Sequence, residues 1–436
     1  MSILYTFYGD DFTGSTDVLE QLASNGVPTV LYLTPPTPAH LTAFPEAKAI
    51  GIAGDSRSRS PRWMSTHLPA IFAALKTFNA PIVHYKVCST FDSSPTHGSI
   101  GRAIELGREA FNPRFVPIVV GAPHLRRYVA FGNLFAAASD GAIHRIDRHP
   151  MSHHPVTPMR EADLRIHLKA QTATPIGLVD LSALQSEAPS TALETQLAAG
   201  SHAVLFDTVD TQTQVAVGEL LWQQAQQQTI FSASSSGLTA AIIHAWRSAR
   251  LLPESIPNEK PGNTAPLLVL SGSCSPVTER QIRYALADGY HGINLDPPTL
   301  LSPDTAASAA TAAVQKAVTS LTSGRNTILY TSLGPPDTPE AHGDSLGTAL
   351  GLLLKEIITR TAVRRVLLCG GDTSSHAVQQ LGLYALTWLA DMQPGAPLCR
   401  THADDPKSHL HHLELVLKGG QVGTEDFFDV VRGATP

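Results

Sequence analysis

The feature that most constrains this chain is a repeated alternation of short apolar, β-rich runs with stretches of helical period. Residues 3–8, 29–33, 49–53, 81–87 and 115–120 read as buried strands, each bounded by Gly, Pro or Asp. Helical patterns over 15–24, 61–78 and 100–111 lie between them. Strand–helix alternation of this kind packs as a mostly parallel sheet with helices on its faces. Runs at 176–179 and 203–206 and a Gln-rich helix over 212–228 continue the series. Residues 252–265 then break it, with three prolines and no apolar period, as an interdomain segment does.

A second series follows, with strands at 267–270, 327–331, 365–369 and 413–418. Its helices are expected from 276, over 302–323 and 345–361, and from 374. The expected fold is therefore α/β: two domains, each a mostly parallel sheet flanked by helices, with the active site in the cleft between them. The expected boundaries are 1–250, a linker over 251–265, and 266–436. A chain of 436 residues is also longer than one hydrophobic core fills.

Charge narrows the function. A net charge of −6 and the lack of any extended Lys/Arg cluster exclude a nucleic-acid footprint. No apolar run reaches the roughly 18 residues that span a bilayer. The opening MSILYTFYGDDFTG has no basic n-region, and two aspartates interrupt its apolar run, so no secretory leader is expected. Cys88, Cys274, Cys369 and Cys399 stand alone without CxxC spacing and read as reduced thiols of a cytoplasmic protein.

Ligands of open α/β sheets bind where loops leave the carboxyl ends of strands. In the first half those ends carry Gly9-Asp10-Asp11-Phe12-Thr13-Gly14, then Asp55-Ser56-Arg57-Ser58-Arg59, then Lys86-Val87-Cys88-Ser89. The mix suits a polyhydroxy acid. Arg57 can grip a carboxylate with two parallel hydrogen bonds, Lys86 supplies a point charge, and Asp10 or Asp11 binds hydroxyls or accepts a proton. A single aspartate here would read as a helix cap. Two, with charged partners at neighbouring strand ends, read as a site. Arg59 is expected at the surface, and Cys88 as an inert thiol whose backbone lines the pocket. The stretch from Arg148 to Met159 holds three histidines and three prolines, read as a rigid connector or lid ahead of a metal site. Whether His153 or His154 meets substrate or metal stays open.

In the second half, three Gly/Ser-rich loops follow strands: Ser271-Gly272-Ser273-Cys274-Ser275, Gly370-Gly371-Asp372-Thr373 and Lys418-Gly419-Gly420. Glycines let backbone N–H groups approach a phosphate, and a helix N-terminus favours its charge. The absence of GxxxxGKS/T rules out a P-loop, and the absence of a well-placed GxGxxG weighs against a dinucleotide fold. Ser271, Gly272, Ser273, Ser275, Gly370, Gly371, Asp372, Thr373, Gly419 and Gly420 are the candidate nucleotide contacts. Asp372 is a candidate for Mg²⁺ through water, with helix capping as the competing role.

Together GDDFTGSTD, KVCSTFDSS, HHPVTPM, SGSCSPVTERQI, CGGDTSSHAV and LVLKGGQVG, in this order from residue 9 to about 423, resemble the four-carbon acid sugar kinase family. The resemblance implies ATP-dependent phosphorylation of the terminal hydroxyl of threonate, erythronate or a 3-oxo-tetronate. It implies sugar-acid contacts by Asp10, Asp11, Arg57 and Lys86 through Ser89, and nucleotide contacts by the three glycine loops. ATP and Mg²⁺ are the expected cofactors, sugar acid and ATP the expected partners, and a homodimer is compatible with it. A sensor that binds both ligands without turnover is the rival from another class, and a kinase for another small hydroxy acid is the runner-up among enzymes.

Overall fold

The structure, a computed structural model, describes residues 2–138, 141–153, 156–253, 261–334 and 343–433. Much of the expected linker, residues 254–260, lies outside the described residues. The chain divides into two compact units. One holds Met1–Thr29 with Thr37–Ile256, the other Val30–Pro36 with Pro257–Pro436. The short piece 30–36 therefore clusters away from the residues on either side of it.

The strands up to residue 256 are β1 (Tyr5–Gly9), β2 (Thr29–Tyr32), β3 (Ala49–Ala53), β4 (Ile82–Lys86), β5 (Val116–Val119), β6 (Arg127–Ala130), β7 (Asn133–Ala137), β8 (Ile143–Arg145), β9 (Ile176–Val179), β10 (Ala203–Phe206) and β11 (Ile230–Ser234). In the first unit β11-β4-β1-β3 form a parallel sheet and β5-β10-β9 a second one. Residues of β1, β3, β4 and β11 are buried throughout, as strands covered on both faces must be. The sheets abut where β11 meets β5. There the Val119 N–H donates to the Ser234 hydroxyl (2.8 Å) and the Ser232 hydroxyl donates to the Pro117 carbonyl (2.8 Å). Pro117 has no N–H, so serine side chains close the seam there, and the Ser235 N–H donating to Val119 O (3.0 Å) continues it. Phe72, Phe111 and Phe231 pack with Tyr85 at the centre of the core. The antiparallel β6-β7-β8 ribbon was not foreseen. Its β6–β7 turn runs through Phe131 and Gly132 at φ 50° and 80°, a left-handed pair that Phe disguises in the sequence.

The remaining strands are β12 (Leu267–Ser271), β13 (His291–Asn294), β14 (Thr327–Tyr330), β15 (Arg365–Cys369), β16 (Leu383–Gln393), β17 (Ala396–Ala403) and β18 (Glu414–Lys418). In the second unit β18-β15-β12-β14-β13 are parallel. The β16–β17 hairpin adds antiparallel strands beside β18, and β2 pairs antiparallel with β16. Leu267, Val269, Leu367, Val416 and Phe427 lie in its core. Among the described residues no helix is long and apolar enough to cross a membrane.

Register positions both sites. Gly9 pairs with Ala53 and Lys86, and Lys86 with Ser234, so the residues after them emerge along one sheet edge. In the second unit Ser271 pairs with Cys369, and Cys369 with Lys418. Gly272, Gly370 and Gly419 emerge together in the same way.

Candidate active site

At the first edge, Asp10 and Asp11 meet Arg57 as soon as β1 ends. The backbone is pinned by Asp10 N–H donating to Lys86 O (2.9 Å) and Arg57 N–H donating to Asp10 O (3.0 Å). The Arg57 guanidinium then spreads over both carboxylates. Nη2 lies 2.8 Å from Asp10 Oδ1 and 3.0 Å from Asp11 Oδ1, and Nη1 lies 3.0 Å from Asp11 Oδ2. Nε reaches Asp10 Oδ2 at 3.3 Å. Asp11 is also the cap of the helix Phe12–Ala23: its Oδ1 accepts the Gly14 N–H (2.8 Å) and its Oδ2 the Thr13 hydroxyl (2.6 Å). Cap and charged cluster are thus the same residue.

Environment separates the two carboxylates. Burial pushes Asp10 up to about 6, Asp11 adding to the shift while Arg57 opposes it. Burial works against Asp11 too, but Arg57, Lys86, the Thr13 hydroxyl and the Gly14 N–H outweigh it and hold its pKa below the usual value. Burial likewise opposes the charge on Arg57, and the two aspartates between which it sits raise its pKa far above the ordinary value. Two adjacent carboxylates with pKa values driven apart are the pattern of an acid/base pair.

Lys86 is 3% exposed, and its ammonium has Asp17 Oδ2 at 3.7 Å as its nearest carboxylate. No hydrogen bond to it is formed among the described residues. The donors of this buried ammonium are therefore unspent among the described residues. Gly14 makes room for this arrangement. A Cβ there would stand 2.3 Å from Asp11 Oδ1 and 3.0 Å from Lys86 Nζ. Asp17 went unnoticed in the sequence, although it lies three residues after Gly14 on the same helix face. Val87 is buried and Ser89 half-buried beside the site. The Thr90 hydroxyl donates to Asp92 Oδ1 (2.6 Å) and lies 3.0 Å from Cys88 Sγ. Burial and Asp92 push the Cys88 thiol up, which disfavours the nucleophilic thiolate. Arg59 pairs with Asp55 (Nε to Oδ2, 2.9 Å) and lies over Trp63. His153 is exposed, and His154 lies outside the described residues.

The second edge is built of backbone. Gly272 N–H donates to Cys369 O and Gly370 N–H to Lys418 O, which stitches the three glycine loops together. Gly370 sits at φ 115°, where a side chain would strain the chain, and opens the helix Gly371–Gln380. Ser275 caps the helix Pro276–Ala287 by accepting the Val277 N–H. Ser271 and Ser273 are buried, and a Cβ on Gly420 would stand 3.0 Å from Ser273 Oγ. Gly371 faces open space. The side chains of Asp372 and Thr373 lie outside the described residues. Among the described residues no group of three or more His, Cys, Asp or Glu is placed to hold a metal.

Comparison with known proteins follows the same division. Residues 5–242 match a sugar-binding N-terminal domain and 268–428 a nucleotide-binding C-terminal domain. A 3-oxo-isoapionate kinase from Paraburkholderia graminis is 44% identical, over 99% of this chain and 94% of that protein. A 3-oxo-tetronate kinase from Methylobacterium radiotolerans is 28% identical, over 98% of each. In the solved structures, a Haemophilus influenzae protein matches at TM-score 0.70 and 25% identity, over 98% of this chain and 99% of that one. A Salmonella typhimurium LT2 protein solved under the description of a tRNA synthase matches at TM-score 0.76 and 24% identity, over 98% of each, a likeness of fold alone. With both halves and nearly the whole length accounted for, the chain belongs to the four-carbon acid sugar kinase family and is a kinase.

Proposed function

We propose that this protein transfers the γ-phosphate of ATP to the terminal hydroxyl of a 3-oxo sugar acid in the cytoplasm, giving the 4-phosphate and ADP. The observation that carries the reading is the Asp10–Arg57–Asp11 cluster beside the buried Lys86 ammonium, at the sheet edge of a sugar-binding domain. For the substrate, 44% identity to a 3-oxo-isoapionate kinase against 28% to 3-oxo-tetronate kinases puts 3-oxo-isoapionate first. The 3-oxo-tetronates, threonate and erythronate come after it.

Phosphoryl transfer asks a protein chiefly for positioning and charge stabilisation. Asp10 takes the hydroxyl proton, since a base works best with a pKa near the working pH and its own stands at about 6. Asp11 stays ionised and holds Arg57, which in turn aims the Asp10 carboxylate. Lys86 gives its unspent donors to the substrate anion, with Val87, Cys88 and Ser89 along the wall. In the second unit Ser271, Gly272, Ser273, Ser275, Gly370, Gly371, Thr373, Gly419 and Gly420 hold the nucleotide. Mg²⁺ keeps most of its waters and is bound largely through substrate phosphates, so it needs no protein cage. It would neutralise phosphate charge, with Asp372 as the carboxylate nearest to hand along the chain.

The test is ADP formation from Mg-ATP over a panel of 3-oxo-isoapionate, 3-oxo-tetronates, threonate and erythronate. Turnover fastest on 3-oxo-isoapionate is expected. Turnover confined to the tetronates would move the substrate, and folded protein that binds ATP but phosphorylates none of them would end the kinase reading.

A further inference from the structure

Lys418 ends β18 and is fully buried. An ammonium taken out of water needs compensation, and a carboxylate is the usual source. Among the described residues none pairs with it. Its donors go to neutral oxygens: Thr278 Oγ1 at 3.1 Å, Gly419 O at 3.0 Å and Gly420 O at 3.5 Å. Thr278, buried in the first turn of the helix Pro276–Ala287, donates its own hydroxyl to Gly420 O (3.0 Å). About one helical turn on, Gln281 Nε2 donates to Val422 O and Thr424 O. The loop after β18 is therefore tied down by its carbonyls.

Planarity of the peptide then decides where its N–H groups point. In a trans peptide, C=O and N–H are antiparallel. Pulling the Gly419 and Gly420 oxygens towards Lys418 and Thr278 turns the N–H groups of Gly420 and Gln421 the other way. Neither donates to any group among the described residues. Consecutive free N–H groups above a buried cation make an anion-binding concavity.

We infer that Lys418 is a positioning residue of the nucleotide site, which with Thr278 holds two consecutive peptide oxygens inward so that the Gly420 and Gln421 N–H groups meet a phosphate of ATP. The inference rests on the nucleotide reading of the second unit. The missing counter-charge of Lys418 is then the phosphate itself, felt across the turn.

Calorimetry of ADP and adenosine binding to the full chain separates the possibilities. Lys418→Met should weaken ADP binding by about tenfold or more, the scale of a hydrogen bond to a charged group, while adenosine binding stays unchanged. The KM for ATP should rise by the same factor with the KM for the sugar acid unmoved. Thr278→Val keeps the charge and removes the bridge, and must shift the ADP-to-adenosine ratio the same way by a smaller factor. An unchanged ratio in Thr278→Val overturns the inference even if Lys418→Met fails to fold. Equal weakening of ADP and adenosine overturns it as well, because it marks a general structural role. Wild-type protein that binds no ADP would remove the nucleotide reading itself, whereas intact ADP binding in Lys418→Met removes this inference alone.

Discussion

The two units solve one geometric problem with opposite materials. Each lines up the carboxyl ends of parallel strands, so that residues distant in sequence emerge side by side. In the first unit those ends carry Asp10, Asp11 and Arg57 in one hydrogen-bonded cluster, with the buried Lys86 ammonium beside it. In the second they carry serines and glycines, and the buried cation Lys418 spends its donors on loop carbonyls. The contrast fits the proposed ligands. A small hydroxy acid needs individually aimed groups, one of them a base, whereas a polyphosphate is well met by many equivalent N–H groups. The first site should therefore fail through single atoms, and the second through loss of space.

The sharpest way to break the comparison is Asp10→Asn. Loss of a general base costs about 10²–10⁴ in rate, so kcat should fall by that range while the KM for ATP holds. Asp11→Asn keeps a capping oxygen and should cost far less in kcat. Equal losses in both would dissolve the division between them.

Next comes Arg57→Ala, which leaves two carboxylates together without their cation. Removing one partner of a fully buried pair costs about 3–5 kcal/mol, and with the Arg57 side chain 25% exposed, thermal or denaturant unfolding at neutral pH should show a loss at or below the lower end of that range. The sign of its pH dependence follows. Without Arg57 both folded-state carboxyl pKa values rise, Asp10 further above its unfolded value, so the variant should gain stability relative to wild type as pH falls towards 5. A loss independent of pH would mean that the fork does not neutralise the pair.

A smaller effect is expected at the second site. A Cβ on Gly371 meets open space, so Gly371→Val should leave the melting temperature unchanged and raise the KM for ATP roughly tenfold, the value of about one displaced hydrogen bond. A lower melting temperature with unchanged KM would show that the open space is not the nucleotide's.

Alternation of strand and helix made the parallel cores legible in the sequence, as did the clustering of Asp10, Arg57 and Lys86 at strand ends. Three things were not legible, for separate reasons. The partner of Arg57 depends on register between strands some 47 positions apart, which no local pattern carries. It was expected to grip substrate, and in the structure its fork is on the aspartates. The β16–β17 hairpin was passed over although Pro394-Gly395 marks its turn, with Gly395 at φ 80°. Its strands mix Thr, Trp, Asp and His with apolar residues and their register shifts three times, which blurs the two-residue period. Val30–Pro36 reads as one more strand of the first series, because a strand's own sequence does not say which unit it pairs with.

The most direct test of the account is the pH dependence of kcat/KM for the sugar acid in wild type and Asp10→Asn. A base acts only when ionised, and kcat/KM reports the free enzyme. With Asp10 at about 6, the wild-type value should be flat above that pH and fall about tenfold per unit below it. Asp10→Asn should show low residual activity without that limb. The same acid limb surviving in Asp10→Asn would contradict the account, since the titrating group would then be another residue.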